Sequence, residues 1–389
     1  MKQLTSFFCA SFVFISVTTA LASARTWYIK PDGSGDAPTI QAGVDSAEVG
    51  DVVLVAAGHY TWTNQGTGSD YGLILLWRDR SGFELRSESG PEATILDSEG
   101  QGRVINLMAY NDVTIDGFKI TGGVAPELGN FTGGGLGGHL SSPVIRNCIF
   151  SGNSALYGGG VWFGGVSGVR FENCRFVSNT ARNGGGVFLI NSSATMTFVG
   201  CVFENNVASS KGGGIFCYNV SISLEGCGIL GNTAGVEGGG VQCENIFPST
   251  IRNCTITENG SPVGGGIRLF RYSTIIVQNS IVSHSSQGAA LGIETESSLD
   301  LGCSDLYGNA GGDDLPPEVI DSGGNFFLDP QFCGVQGTHF CHLQADSPCA
   351  PGNHPDGDSC GLIGAYPVSC GSVPVKDKSW GEIKALYRY

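Results

Sequence analysis

Charge is scarce in this chain. Only 14% of its 389 residues are Asp, Glu, Lys or Arg, against about a quarter in an ordinary globular domain. Cations are scarcer still, with 20 Lys and Arg facing 35 Asp and Glu, so the formal net charge is −15. A surface of that sign repels nucleic acid and anionic membranes, which argues against both as partners. Sustained helical periodicity is absent from the middle of the chain, which excludes the helical repeat architectures. Long apolar runs are also missing beyond the first residues. No later run approaches the length of a membrane span, so the sequence offers no transmembrane segment and is expected to be soluble outside the cytoplasm.

Glycine is the counterweight, at 62 residues. Much of it falls into six triplets that begin at Gly133, Gly158, Gly184, Gly212, Gly238 and Gly264, spaced 25, 26, 28, 26 and 26 residues apart, each followed by Leu, Val or Ile. In phase with them runs a cysteine with an asparagine five residues later: Cys148 and Asn153, Cys174 and Asn179, Cys201 and Asn206, Cys227 and Asn232, Cys254 and Asn259. A fixed period of this length marks units that bury their apolar faces against one another. Short runs of alternating Ile, Val, Phe and Thr between Gly and Asn read as several strands per repeat.

Stacked parallel strands place equivalent residues about 4.8 Å apart, so like residues should form columns. They do. Three positions before each cysteine stand Ile145, Phe171, Phe198, Leu224 and Ile251, and two after it stand Phe150, Phe176, Phe203, Ile229 and Ile256. Both columns are inward. Arg146, Glu172, Val199, Glu225 and Arg252 form a column that only a water-facing side accepts. The asparagines sit at a bend, where their amides can join the next in the stack, and the glycines allow positive-φ turns. The expected fold is all-β, a single parallel β-helix. Its repeat cysteines are expected to be reduced and buried, because stacked Cβ atoms about 4.8 Å apart lie too wide for a disulfide.

These repeats resemble the right-handed parallel β-helix of the pectate-lyase-like superfamily. The glycine triplet with Ile or Val, then Phe-x-x-Asn as in Phe150 to Asn153, is similar to the repeats of polymorphic outer-membrane proteins. The resemblance implies the right-handed solenoid and a place on the outer surface of a cell. It implies no single activity, since the fold hosts lyases, hydrolases, esterases, adhesins and stalks.

Taken in order, residues 1–24 read as a secretory signal peptide, with Lys2, an apolar run over 7–17 and Ala22-Ser23-Ala24 as an Ala-x-Ala cleavage site. Residues 25–60 form an N-terminal cap and first coil, in which Ile40, Val44 and Ala47 fall on one face of a short helix that would block the open end. This opening resembles that of pectin methylesterases, whose catalytic Asp-Phe motif occurs nowhere in the chain. Residues 61–324 form the helix proper. Residues 325–371 are a Cys-rich C-terminal cap expected to close the last coil, with Cys333, Cys341, Cys349, Cys360 and Cys370 as disulfide candidates. Five is odd, so one thiol is left over or pairs with Cys303. Residues 372–389 make a tail with Trp380, Ile383 and Leu386 on one side, read either as a packed end or as a sorting signal.

Two functional readings stand. Lyases on this fold need carboxylates that hold Ca²⁺ and an Arg or Lys base; Asp112, Asp116 and Lys119 on one early coil are the catalytic candidates for an enzyme, polysaccharide lyase or hydrolase, and no cofactor is assigned other than Ca²⁺ in the case of a lyase. Glu172, Glu225 and Glu244 read as partners of arginines in their columns. His139 reads as a turn residue. His339, His342 and His354 with Asp356 and Asp358 match no metal spacing, so no metal site is assigned. The other reading is non-catalytic. The second residue after each triplet is Trp162, Phe188, Phe216, Gln242 and Arg268, and the fourth is Gly164, Ile190, Tyr218, Glu244 and Phe270. These positions point outward and predict an exposed aromatic face. Trp162, Phe188, Phe216, Tyr218 and Arg268 are the candidate ligand-binding residues, for a polysaccharide or a surface protein.

Overall fold

The computed structural model describes residues 23–66, 72–76, 82–108, 112–125, 132–165, 168–334, 341–357 and 360–371. Residues 1–22, most of the expected signal peptide, and the tail 372–389, with Trp380, Ile383 and Leu386, lie outside them, as do His339 and Asp358.

One regular coil shows how the rest is built. After the triplet at Gly158 come the strands Val161–Gly164, Arg170–Glu172, Arg175–Val177 and Thr180–Asn183. Each pairs in parallel with its equivalents one coil away, giving a 12-, a 10- and a nine-stranded sheet and a fourth, four-stranded sheet over the central coils. The protein is a right-handed parallel β-helix.

The inward columns stack face to face. Phe171 and Phe198 have ring centroids 4.8 Å apart and planes within 2°, and Phe176 and Phe203 lie 4.7 Å apart. The rings repeat at the strand spacing, so each adds an offset-stacked contact of about 1 kcal/mol beyond its burial. The asparagine column is a hydrogen-bonded ladder. Asn153, Asn179, Asn206 and Asn232 each donate from Nδ2 to Oδ1 of the next at 2.9–3.0 Å, and each is buried. Each also donates to a carbonyl of the coil before, as Asn206 does to Phe176 at 2.8 Å.

The triplets are forced by both conformation and contact. Gly184 has φ +66°, and a Cβ on Gly185 or Gly186 would stand 2.5 or 2.6 Å from a carbonyl oxygen of the next triplet. The five repeat cysteines are free and buried, joined by Cys217 and Cys243. Burial pushes the thiols of Cys174, Cys201 and Cys254 up.

At the N-terminal end the helix Ile40–Ser46 buries Ile40, Gly43 and Val44, and the Thr39 side chain caps it by accepting from the Ala42 N–H at 3.1 Å. At the other end the expected pairing of a cap cysteine with Cys303 holds, and Cys341 and Cys349 are corrected as disulfide candidates. Cys303 bonds to Cys360 and Cys333 to Cys370, whereas Cys341 and Cys349 stay thiols. Both thiols are buried, Cys349 packing among Ile281, Phe326, Leu343 and Ile363 while its thiol donates to Asp305 Oδ2 at 3.4 Å. Nor does this segment only close the last coil. It folds back along the 10-stranded sheet, where Ala365 N–H donates to Thr255 Oγ1 at 2.9 Å and Gly364 N–H to the Asn279 carbonyl at 2.8 Å. Strands Gly228–Leu230, Thr255–Thr257 and Ile281–Ser283 are therefore buried on both faces, where earlier strands of that sheet alternate.

Candidate functional site

The nine-stranded sheet carries the outward columns. Its register aligns Gly137, Trp162, Phe188, Phe216, Gln242 and Arg268 in one column, and His139, Gly164, Ile190, Tyr218, Glu244 and Phe270 in the next. The side chains leave the lumen as expected, but they are not an exposed ladder. Trp162, Phe188 and Phe216 are only 3–5% accessible. The fourth strand of each coil stands beside them, so that Tyr157 stacks on Phe188 at 5.3 Å, while Ile190 and Tyr218 pack from the other side. The rings form a second apolar cluster, separate from the core within the coils.

Above the rings lies a hollow of about 520 Å³, lined by His139, Tyr157, Trp162, Phe188, Phe216 and Tyr218. Gly164 is what opens it: a Cβ there would meet the Trp162 ring at 2.6 Å. His139 belongs to the strand Leu136–His139 rather than to a turn, and its ring stacks parallel to Trp162 at 6.3 Å. Burial lowers its pKa, so it is neutral at neutral pH. The signal for His139 was available in its count of four from the triplet at Gly133; nothing local marks Tyr157, which the fourth strand brings in from the preceding turn.

Beyond Phe216 the column changes character. Arg268 donates to Glu237 at 2.9 Å, Lys211 reaches Glu237 at 2.8 Å and Glu244 at 3.5 Å, and Arg271 meets Glu244 at 3.0 Å. Burial raises the Glu237 carboxyl, but hydrogen bonds from Lys211 and Arg268 outweigh that and hold it below its usual range. All three cations also lie within 5.3 Å of the Phe270 ring centroid. Arg268 is thus committed to Glu237 and does not line the hollow.

The catalytic candidates are not brought together. Arg146 donates to Asp116 at 2.9 Å and to Glu84 at 2.8 Å, and Asn147 donates to the other Asp116 oxygen at 2.8 Å, so that carboxylate is saturated by its neighbours. Lys119 sits around the turn on a strand of a different sheet. Asp112 instead lines a shallow hollow of about 380 Å³ with Asp51, Glu84, Thr114 and Arg146. Of the surface glutamates, Glu172 pairs with Arg170 on its own strand, and Glu225 accepts from Asn253 at 2.7 Å rather than from an arginine. Among the described residues no group of three or more His, Cys, Asp or Glu side chains is arranged to hold a metal ion.

A family model described as a right-handed β-helix region matches residues 78–237 and 145–312, more than half of the chain. The chain belongs to the right-handed β-helix family. No curated protein sequence matches this β-helix protein at a significant level. Among solved structures it is similar to the pectate lyase Pel9A, at 13% identity and TM-score 0.56 over 90% of this chain and 98% of that one. It also matches a pectin methylesterase from carrot, at 13% identity and TM-score 0.37 over 85% and 93%, and the catalytic unit of a GH87 α-1,3-glucanase from Streptomyces thermodiastaticus strain HF3-3, at 17% identity and TM-score 0.35 over 77% and 68%. At such identities the likeness is one of fold.

Proposed function

We propose that this β-helix protein works outside the cell or on its outer surface, after loss of residues 1–24, and binds a glycan chain without turning it over. The observation that carries the reading is the hollow over Trp162, Phe188 and Phe216. Its volume of about 520 Å³ suits a small ligand or a short stretch of a chain. A protein partner needs a flatter patch of about 800 Å² per side. Over the buried floor of Trp162, Phe188 and Phe216, the half-buried rings of Tyr157 and Tyr218 offer the C–H faces of sugar rings a stacking surface and their hydroxyls a hydrogen-bond partner. Among the described residues no helix is long and apolar enough to cross a membrane, and the two disulfides suit an oxidising compartment. Attachment to an outer membrane would fall to the tail 372–389.

The second reading is a carbohydrate-active enzyme, a polysaccharide lyase or hydrolase. It is favoured by the hollow that gathers Glu84, Asp112 and Arg146, two carboxylates and a guanidinium on an outward sheet face. In a lyase those carboxylates would take Ca²⁺.

Both readings meet in one experiment. Residues 25–389 are run over immobilised neutral and acidic glycans, with and without calcium, while unsaturated and reducing products are followed. Retention without product is expected, about tenfold weaker in Trp162→Ala or Phe216→Ala, the loss of one aromatic contact. Product formation that Glu84→Gln or Asp112→Asn abolishes would replace the binding reading with the enzymatic one.

A further inference from the structure

The first ordered strand, Thr26–Ile29, begins one residue after Arg25. The backbone nitrogen of Arg25 donates to Asp51 Oδ1 at 2.7 Å. The other oxygen of that carboxylate accepts from Trp27 Nε1 at 3.1 Å and from the Glu48 N–H at 3.0 Å. Asp51 is 7% accessible, the rest of it closed in at the junction of the first strand with the second, Val52–Val55. Ser23, Ala24, Arg25 and Thr26 are all exposed. An exposed peptide bond therefore stands directly before a nitrogen that is already seated on a nearly buried carboxylate.

We infer that Asp51 is the receptor for a new α-amino group at Arg25, formed when the Ala24–Arg25 bond is cut. The inference rests on the reading of residues 1–24 as a removed leader. A leader-removing endopeptidase supplies the chemistry: water adds to the Ala24 carbonyl, the C–N bond breaks, Ala24 leaves as a carboxylate, and the Arg25 nitrogen takes up protons to become an ammonium. Its charge then faces Asp51 at the distance the amide already holds. A hydrogen bond with charge on the acceptor alone becomes an ion pair with charge on both partners, which adds a Coulombic attraction to the existing contact. The pair ties the chain end to the second strand and so clamps the first coil, the end at which a solenoid frays.

Hydrogen bonds from the Glu48 and Arg25 N–H groups and from Trp27 Nε1 already hold the Asp51 carboxyl below its usual range, so it is ionised across the pH range in which an α-amine gains or loses its proton. The charged groups around it are the Arg25 guanidinium, which lies over the Trp27 ring at 3.5 Å, and Glu84, Asp112 and Arg146 in the adjoining hollow. The carboxylates among them add to the attraction for an ammonium.

The test compares four chains: one released with Arg25 as its first residue, one carrying two extra residues before Arg25, and Asp51→Asn versions of both. Amide hydrogen exchange in peptides covering 26–29 and 52–55 is the readout. Exchange about tenfold slower in the chain that starts at Arg25 is expected, the factor carried by one unit of pKa shift. The advantage is expected to vanish in Asp51→Asn. An amine whose pKa is raised by folding stabilises fully below its unfolded pKa of about 7.7–8.0, and the advantage should fade as pH rises through the higher folded value. Equal exchange with and without the extra residues, or a difference that survives Asp51→Asn, would overturn the inference. Mass spectrometry of the exported protein tests the leader separately: a first residue other than Arg25 would sink the cleavage reading whatever the exchange data show.

Discussion

An Asn206→Ala chain is expected to lose about 3–6 kcal/mol of stability in urea unfolding. Asn206 is fully buried, and its side chain accepts from the backbone N–H and the Nδ2 of Asn179 at 3.0 Å while donating to Asn232 Oδ1 at 2.9 Å and to the Phe176 carbonyl at 2.8 Å. Alanine would leave the Asn179 N–H and one Asn179 amide hydrogen without partners and take the side-chain bond from the Phe176 carbonyl, and each buried group so stripped costs about 1–3 kcal/mol. Asn206→Asp should be no milder, because it turns the donor that faces Asn232 Oδ1 into an acceptor. Asn219→Gly is the control: its Nδ2 reaches Asn191 Oδ1 at 3.0 Å in the same geometry but in water, and glycine keeps its φ of +53°. That change should stay within about 0.5 kcal/mol, as surface changes do. A loss below about 1 kcal/mol for Asn206→Ala would mean that the ladder is ornament on a fold held by its phenylalanines.

The second large effect is one of pH. Asp305 lies on a strand of the 10-stranded sheet, fully buried, with Leu328 N–H donating to one oxygen at 3.1 Å and the Cys349 thiol to the other at 3.4 Å. Burial, with smaller contributions from Asp313 and Asp329, outweighs those hydrogen bonds and raises its pKa from 3.8 to about 8. The folded state therefore holds a proton that the unfolded state gives up. Stability from this group is complete below the unfolded pKa, falls as pH rises from there, and is gone above about 8. A shift of that size corresponds to at most roughly 6 kcal/mol. Asp305→Asn keeps an acceptor for Leu328 and cannot ionise. Denaturation midpoints taken from acid to mild alkali should fall steeply for the native chain and lose that part of the slope in the variant, which should be the more stable of the two at the alkaline end. Parallel profiles would show that Asp305 ionises freely, with water reaching the joint between cap and coil.

The lumen was legible in the sequence because a solenoid writes each column down once per turn. Five cysteines, five asparagines and the paired Phe columns state which side chains face inward, and the register of the strands repeats that statement residue for residue. What covers the outside was not legible. Trp162, Phe188 and Phe216 point outward as their spacing requires, yet their burial depends on Tyr157, which no repeat of the triplet predicts. The cap returns to Thr255 from Ala365, a separation of 110 residues that no local pattern encodes. Asp116 and Lys119 are near neighbours in the chain, but the bend at Gly117, with φ +81°, sends them to different sheets. The commitment of Arg268 to Glu237 was equally invisible, because the pair spans 31 positions.

The glycine triplets have one more consequence. Each repeat brings its own turn, its own rung of the asparagine ladder and its own outward residue at the second position, and its strands pair only with the coils on either side. Removal or duplication of one such unit would rejoin like to like in every column. The hollow over the aromatic rings can therefore change its reach only in whole steps of about 4.8 Å, and the chemistry of its column can change one rung at a time, as it does where Phe216 gives way to Gln242 and then Arg268. Its length behaves as a gene-level count, adjustable by unequal recombination between repeats without any new folding problem to solve.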